Sequence, residues 1–143
     1  MPAIRRQINI ATAPRNVWRA LTTPEGLTSW WATAGEQQEV RLEPREGGRV
    51  VFFTGAGEGL AEVRGLVHTW RPTSHLELSF DKLGGNELRG SMAAFKLARD
   101  GTETRLTLVH SGGEALEDVA RRSALDKAWD KALHALQEKL DEP

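Results

Sequence analysis

The sequence predicts an α+β fold in which a curved antiparallel sheet of about seven strands wraps around a long C-terminal helix, with two short helices after strand 1. Three observations predict it. Alternating apolar and polar runs, punctuated by turn glycines, fill the chain from Glu36 to Gly113. Ahead of them, two proline-based helix start signals follow each other directly. Behind them, apolar residues recur at helical spacing with no proline or glycine between Gly113 and the terminal Pro143.

The first strand reads from Ile4 through the alternating QINI to near Ala11. Thr12 or Ala13 then precedes Pro14, a good first helical residue, and Val17, Trp18 and Leu21 form the apolar face of a short helix. Thr23-Pro24-Glu25 repeats the start signal for a second short helix that carries Leu27 towards Trp30 and Trp31. EVRLE, RVVFF, LAEVRGLVHTW, HLELSF, SMAAFKLA and TRLTLVHS are the six further strands. EGG at 46–48, RPTS at 71–74, GGN at 84–86 and RDGT at 99–102 are turns by composition, which makes neighbouring strands antiparallel hairpins. Gly65, inside the longest run, is expected to mark a bulge or bend. Leu125, Trp129, Ala132, Leu133, Leu136 and Leu140 define one long amphipathic helix, with Ser111 and Glu114 at capping-box spacing ahead of it. Glu117 and Asp118 lie four residues before Arg121 and Arg122, in the order that favours surface ion pairs.

The 143 residues are expected to form one domain, 1–143. With 19 basic and 20 acidic residues the formal net charge is −1, so no whole-molecule field favours nucleic acid. The fourteen arginines are scattered through strands and helices, which suits solvated faces. Cysteine is absent, which removes disulfides, thiolate metal ligands and a cysteine nucleophile, and is compatible with a reducing compartment. MPAIRRQINIATAP lacks the apolar run of a signal peptide, and no stretch is fit to cross a bilayer, so the expected location is cytoplasmic.

The ionisable residues assemble no catalytic motif. His68 and His110 share strand parity with apolar neighbours, Leu66 for the first and Leu106 with Leu108 for the second, which places both as inward-pointing. An imidazole there either satisfies a backbone group or serves as acid or base, with Glu62 or Arg64 to assist. His75 follows a turn and reads as exposed, and His134 lies four residues after Asp130 as a surface pair. No metal-binding spacing of histidines occurs, so no metal or other cofactor is expected. His110 and Ser111 are adjacent and therefore point to opposite faces, and no Gly-x-Ser-x-Gly elbow is present. The glycines of TGAGEG lack the phosphate-loop spacing and read instead as a hairpin tip placed to gate a pocket.

The stretch LTSWW sets two indoles side by side, about 100° apart on a helix, so both cannot centre on one narrow stripe. Each is a large apolar ring with one N–H that needs a partner when buried. IATAPRNVWRALTTPEGLTSWW, together with EPREGGRV, GLVHTWRPTSHLELSF, GTETRLTLVHSGG and AWDKALHALQEKL, resembles the START-like (SRPBCC) proteins over nearly the whole chain. The resemblance is closest to the group related to the activator of the heat-shock protein 90 ATPase. It implies a helix-grip fold with an apolar cavity between the sheet and the C-terminal helix.

On that reading Trp30 is the inner ring beneath the sheet rim and Trp31 borders the cavity mouth. Trp18 anchors the first helix, and Trp129 lines or fills the cavity. Strand alternation adds inward residues, so that the expected ligand-binding set is Trp30, Trp31, Val50, Phe52, His68, Leu78, Phe80, Phe95, Leu108, His110 and Trp129. The expected function is binding of a small hydrophobic or amphipathic ligand: a lipid, a polyketide-like compound or an aromatic metabolite. An enzyme resembling the superfamily's cyclases and aromatases, and a chaperone-partner module, are the alternatives. The expected assembly is a monomer or a homodimer, without nucleic acid or membrane insertion.

Overall fold

Alternation of apolar and polar residues carries Ala3–Ile10 as β1, and Pro14 then opens α1, Pro14–Thr22. The computed structural model describes residues 3–31, 37–54, 61–81 and 88–141. Thr23 separates α1 from α2, Pro24–Trp30, and its hydroxyl accepts the Gly26 backbone N–H at 3.1 Å, so one threonine both ends the first helix and caps the second. There follow β2 (Gln37–Leu42), β3 (Arg49–Thr54), β4 (Ala61–Arg71), β5 (His75–Phe80), β6 (Ser91–Asp100) and β7 (Glu103–Gly112). The chain closes with α3 (Glu114–Glu117) and α4 (Val119–Asp141).

All seven strands form one antiparallel sheet in the order β1-β7-β6-β5-β4-β3-β2. Every neighbour except the β1–β7 pair is also a neighbour in sequence, as hairpin turns require. Val50, Phe52, Val63, Val67, Leu76, Leu78, Phe80, Phe95, Leu97, Leu106 and Leu108 are all buried and line the inner face, onto which α4 lays Leu125, Trp129, Ala132, Leu133 and Leu136. This is the period-two pattern of the sequence meeting the helical one. At the first helix the Trp18 ring meets Trp70 of β4 edge-on, centroids 5.1 Å apart, in the anchoring role expected of it.

Several local expectations are corrected. The last helix is not continuous: Asp118 is extended (φ −95°, ψ 122°), and its carboxylate accepts the Arg121 backbone N–H at 3.0 Å, so an aspartate read as an ion-pair partner starts α4 as a cap. The residue before α3 is Gly113, with no side-chain cap, so the Ser111–Glu114 box is not formed. Gly65 pairs in register with Val50 and Phe80, and the irregularity in β4 lies between Val67 and Thr69. Glycine is required at 65 by proximity, because a Cβ there would stand 2.2 Å from the Ser79 carbonyl oxygen. His134 pairs with Glu138 at 3.0 Å, while Asp130 reaches Arg6 of β1 at 3.1 Å. His75 is partly buried, with Nε2 2.8 Å from Glu77 Oε1. The GGN turn and most of the TGAGEG tip, with its gating role, lie outside the described residues.

Candidate aromatic site between sheet and helix

The second tryptophan of LTSWW occupies the middle of the fold. Trp31 ends α2 in an extended conformation (φ −76°, ψ 112°), which turns its ring off the helix and under the sheet. There it stacks on Phe52 of β3, centroids 5.0 Å apart and planes 24° apart, and stands edge-on to Trp129 of α4 at 4.9 Å. Phe80 and Phe95 flank it at 6.3 and 6.1 Å. Trp30 packs edge-on against Phe95 at 6.2 Å and donates its indole N–H to the Ala20 carbonyl of α1 at 2.9 Å. The expected roles are therefore exchanged. Trp30 ties α2 to α1, and Trp31 is the inner ring, because the helix-ending dihedrals rather than the helical period set its direction.

Separations of 4.9 to 6.5 Å are those of aromatic rings in contact, so protein side chains occupy the space where the family resemblance implied a cavity. Clefts among the described residues open elsewhere. One of about 530 Å³ lies between α1, α2 and the end of α4, lined by Asn16, Arg19, Thr23, Glu25 and Lys139 among others. Another of about 530 Å³ lies on the outer sheet face, lined by Arg41, Arg49, Phe53, Arg64 and Leu66 among others.

One polar network enters the aromatic cluster. Trp129 Nε1 donates to His110 Nδ1 at 2.9 Å, and His110 Nε2 lies 2.8 Å from Ser91 Oγ. Indole N–H only donates, so Nδ1 is the bare nitrogen and the imidazole proton sits on Nε2, directed at Ser91. The Ser91 hydroxyl in turn donates to the Leu88 carbonyl. Burial pushes the His110 pKa down to about 4, which leaves the ring neutral near pH 7. The sequence did not disclose this trio. Ser91 and His110 lie on neighbouring strands, and only the β6–β7 register brings them together.

Of the expected set, Trp30, Trp31, Val50, Phe52, Leu78, Phe80, Phe95, Leu108, His110 and Trp129 are buried, and all but His68 lie between sheet and helices. His68 is on the other face. Its side chain is 59% exposed, with Nδ1 3.4 Å from Glu77 Oε2, and its parity partner Leu66 is itself 45% exposed. Shared parity was right and the inward direction wrong, since β4 carries apolar residues on both faces. Arg64 also lies on the exposed face; the Glu62 side chain lies outside the described residues. Among the described residues no group of three or more His, Asp or Glu is arranged to hold a metal ion, and no helix is long and apolar enough to cross a membrane.

Comparison with known proteins gives a match to the family model described as Activator of Hsp90 ATPase homolog 1-like protein, over residues 11–141. No curated protein matches. Among solved structures, the Aha1 dimer from Colwellia psychrerythraea superimposes with a TM-score of 0.79 at 20% identity, covering 99% of this chain and 97% of that one. A protein from Nitrosomonas europaea gives 0.79 at 20% identity, covering 96% and 92%. CalU16 from Micromonospora echinospora gives 0.69 at 23% identity, covering 99% and 76%. At these identities the likeness is one of fold.

Proposed function

Because the chain belongs to the Activator of Hsp90 ATPase homolog 1-like family, we propose that it is a single-domain receptor for a small hydrophobic or amphipathic molecule, taken up between the sheet and α4. The observation that carries this reading is the concentration of Trp30, Trp31, Phe52, Phe80, Phe95 and Trp129 in one mutually touching cluster at that place. In the closed form Trp31 fills the site. A guest enters by displacing that ring, which stands at the end of a seven-residue helix rather than inside one.

Energetics set the affinity. Burying ~200 Å² of apolar guest surface contributes about 5 kcal/mol. Moving one indole out of the cluster re-exposes a comparable area, so only the surplus appears as binding and the affinity is modest. Thermal-shift screening of lipids, polyketide-like phenols and aromatics, followed by native mass spectrometry, tests the reading. A guest is expected to raise Tm and alter tryptophan emission; a uniformly negative screen overturns it. Self-association of the kind described for the Colwellia protein is compatible with this role, since the proposed site lies inside the fold. The absence of cysteine suits a cytoplasmic setting. Catalysis by His110 would require Nδ1 to give up the bond it accepts from Trp129 in order to act as a base, or Nε2–H to leave Ser91 in order to act as an acid, so the geometry supports reception over proton transfer.

A second reading, contact with a macromolecular partner, is favoured by the outer sheet cleft. There the Arg41 guanidinium stands 5.1 Å from the centre of the Phe53 ring beside exposed Leu66. A pull-down with the purified chaperone named by the family tests it, and retention that survives Arg41→Ala and Leu66→Ser would remove this cleft from the account.

A further inference from the structure

The receptor reading leaves the guest's chemistry open, and the lining narrows it. Resting on that reading, we propose that the slot held by the Trp31 ring selects an uncharged, flat aromatic molecule of about two fused rings and rejects carboxylates, fatty acids included.

Shape is the first argument. The Trp31 indole lies nearly parallel to Phe52, at 24°, and is crossed at 76° by Trp129, so the walls offer one ring face and one ring edge to whatever replaces it. A flat π-system of indole size reproduces both contacts, whereas a flexible acyl chain reproduces neither and loses rotamer freedom on entry.

Charge is the second argument. The buried polar side chains among the described residues are Thr22, Ser91, Thr104 and His110, with no lysine, arginine, aspartate or glutamate among them. Both His110 nitrogens are engaged, one by Trp129 and one by Ser91, whose hydroxyl is itself committed to the Leu88 carbonyl. Arg41, Arg49 and Arg64 lie on the exposed side of β2, β3 and β4, with the sheet between them and the cluster. An anion entering the slot gives up its hydration and meets no buried cation among the described residues, which is the situation in which buried charge is most costly.

Naphthalene and 2-naphthoate share a ring system and differ in charge. Their dissociation constants at pH 7.4 are to be compared by calorimetry and by NMR shifts of the Trp129 indole N–H, using the wild-type chain and Trp31→Ala, with Trp31→Leu as the substitute should the alanine variant not fold. Naphthalene is expected to bind the variant at least about 100-fold more tightly than 2-naphthoate, and to bind wild type more weakly in the same order. Binding of 2-naphthoate within about threefold of naphthalene overturns the charge selectivity and leaves the receptor reading standing. Selective binding to the variant with none to wild type upholds the slot's chemistry and counts against spontaneous opening, hence against the receptor reading. A folded variant that takes neither compound overturns the inference.

Discussion

Trp129 of α4 donates its indole N–H to Nδ1 of His110 on β7 across 2.9 Å, and this is a directed hydrogen bond between the long helix and the inner face of the sheet inside the aromatic cluster. Trp129→Phe keeps a large ring and removes the donor, leaving a buried imidazole nitrogen unpaired. The expected loss is about 1–3 kcal/mol from that nitrogen, with a smaller addition from the lost ring area. Urea denaturation at pH 7.5 measures it, and ¹⁵N shifts of His110 should show the Nε2–H tautomer in wild type.

The same histidine makes stability depend on pH. Its pKa is about 4 when folded against an ordinary 6.5, so between those values the unfolded chain binds a proton that the folded chain refuses. Stability therefore rises with pH through that window, and acidification from above 6.5 to below 4 withdraws about 3 kcal/mol through this group alone. His110→Gln, which retains one acceptor and one donor, is expected to flatten the slope. Equal slopes for the two proteins between pH 7 and 4.5, read from urea midpoints, would dissociate His110 from the effect.

Strand faces were legible where one face alone is apolar. Val50 and Phe52, or Leu76, Leu78 and Phe80, announce their side because a one-residue slip would expose them all. β4 is different: Val63 and Val67 lie on one parity and Leu66 on the other, and the residues alone do not say which side His68 takes. Trp31 escaped for another reason. Its direction comes from the backbone turning off the helix at residue 31, not from the 3.6-residue period. The Ser91–His110–Trp129 trio depends on cross-strand register and on the seating of α4, both long-range outcomes of packing. Asp118 as a helix start was readable in its residue type, but helix-favouring residues on both sides masked it.

Gly65 provides a test of close approach. A methyl group there would sit 2.2 Å from the Ser79 carbonyl oxygen, and that oxygen belongs to the backbone of the neighbouring strand, so β4 and β5 must part for it. Gly65→Ala is expected to cost about 3 kcal/mol despite adding apolar surface. A midpoint of chemical denaturation unchanged from wild type would mean the two strands stand further apart.

Arg6 of β1 reaches Asp126 at 3.0 Å and Asp130 at 3.1 Å, bridging to α4 at the surface. These side chains keep between a third and two thirds of their exposure, so solvent screens the pair. Arg6→Ala is expected to lose no more than about 1 kcal/mol, and to lose less still in about 1 M salt, where the Debye length shrinks to a few ångströms. A larger, salt-independent loss would point to packing by the arginine stem.

Phe95 of β6 touches Trp30, Trp31 and Trp129, with centroids 6.2, 6.1 and 6.0 Å away, and it is fully buried. Truncation to alanine removes a ring whose neighbours are pinned: Trp30 by its bond to Ala20 and Trp129 by its bond to His110. The surroundings therefore close only partly, and the expected loss is about 3–5 kcal/mol. A void bounded by aromatic carbon stays dry, so benzene or toluene should enter and restore stability as RT ln(1 + [L]/Kd), about 2.7 kcal/mol at a hundredfold excess over Kd. Thermal scans of Phe95→Ala with and without toluene measure this. If the variant loses stability and the arene returns none, the surrounding rings have collapsed into the gap and no dry void remains.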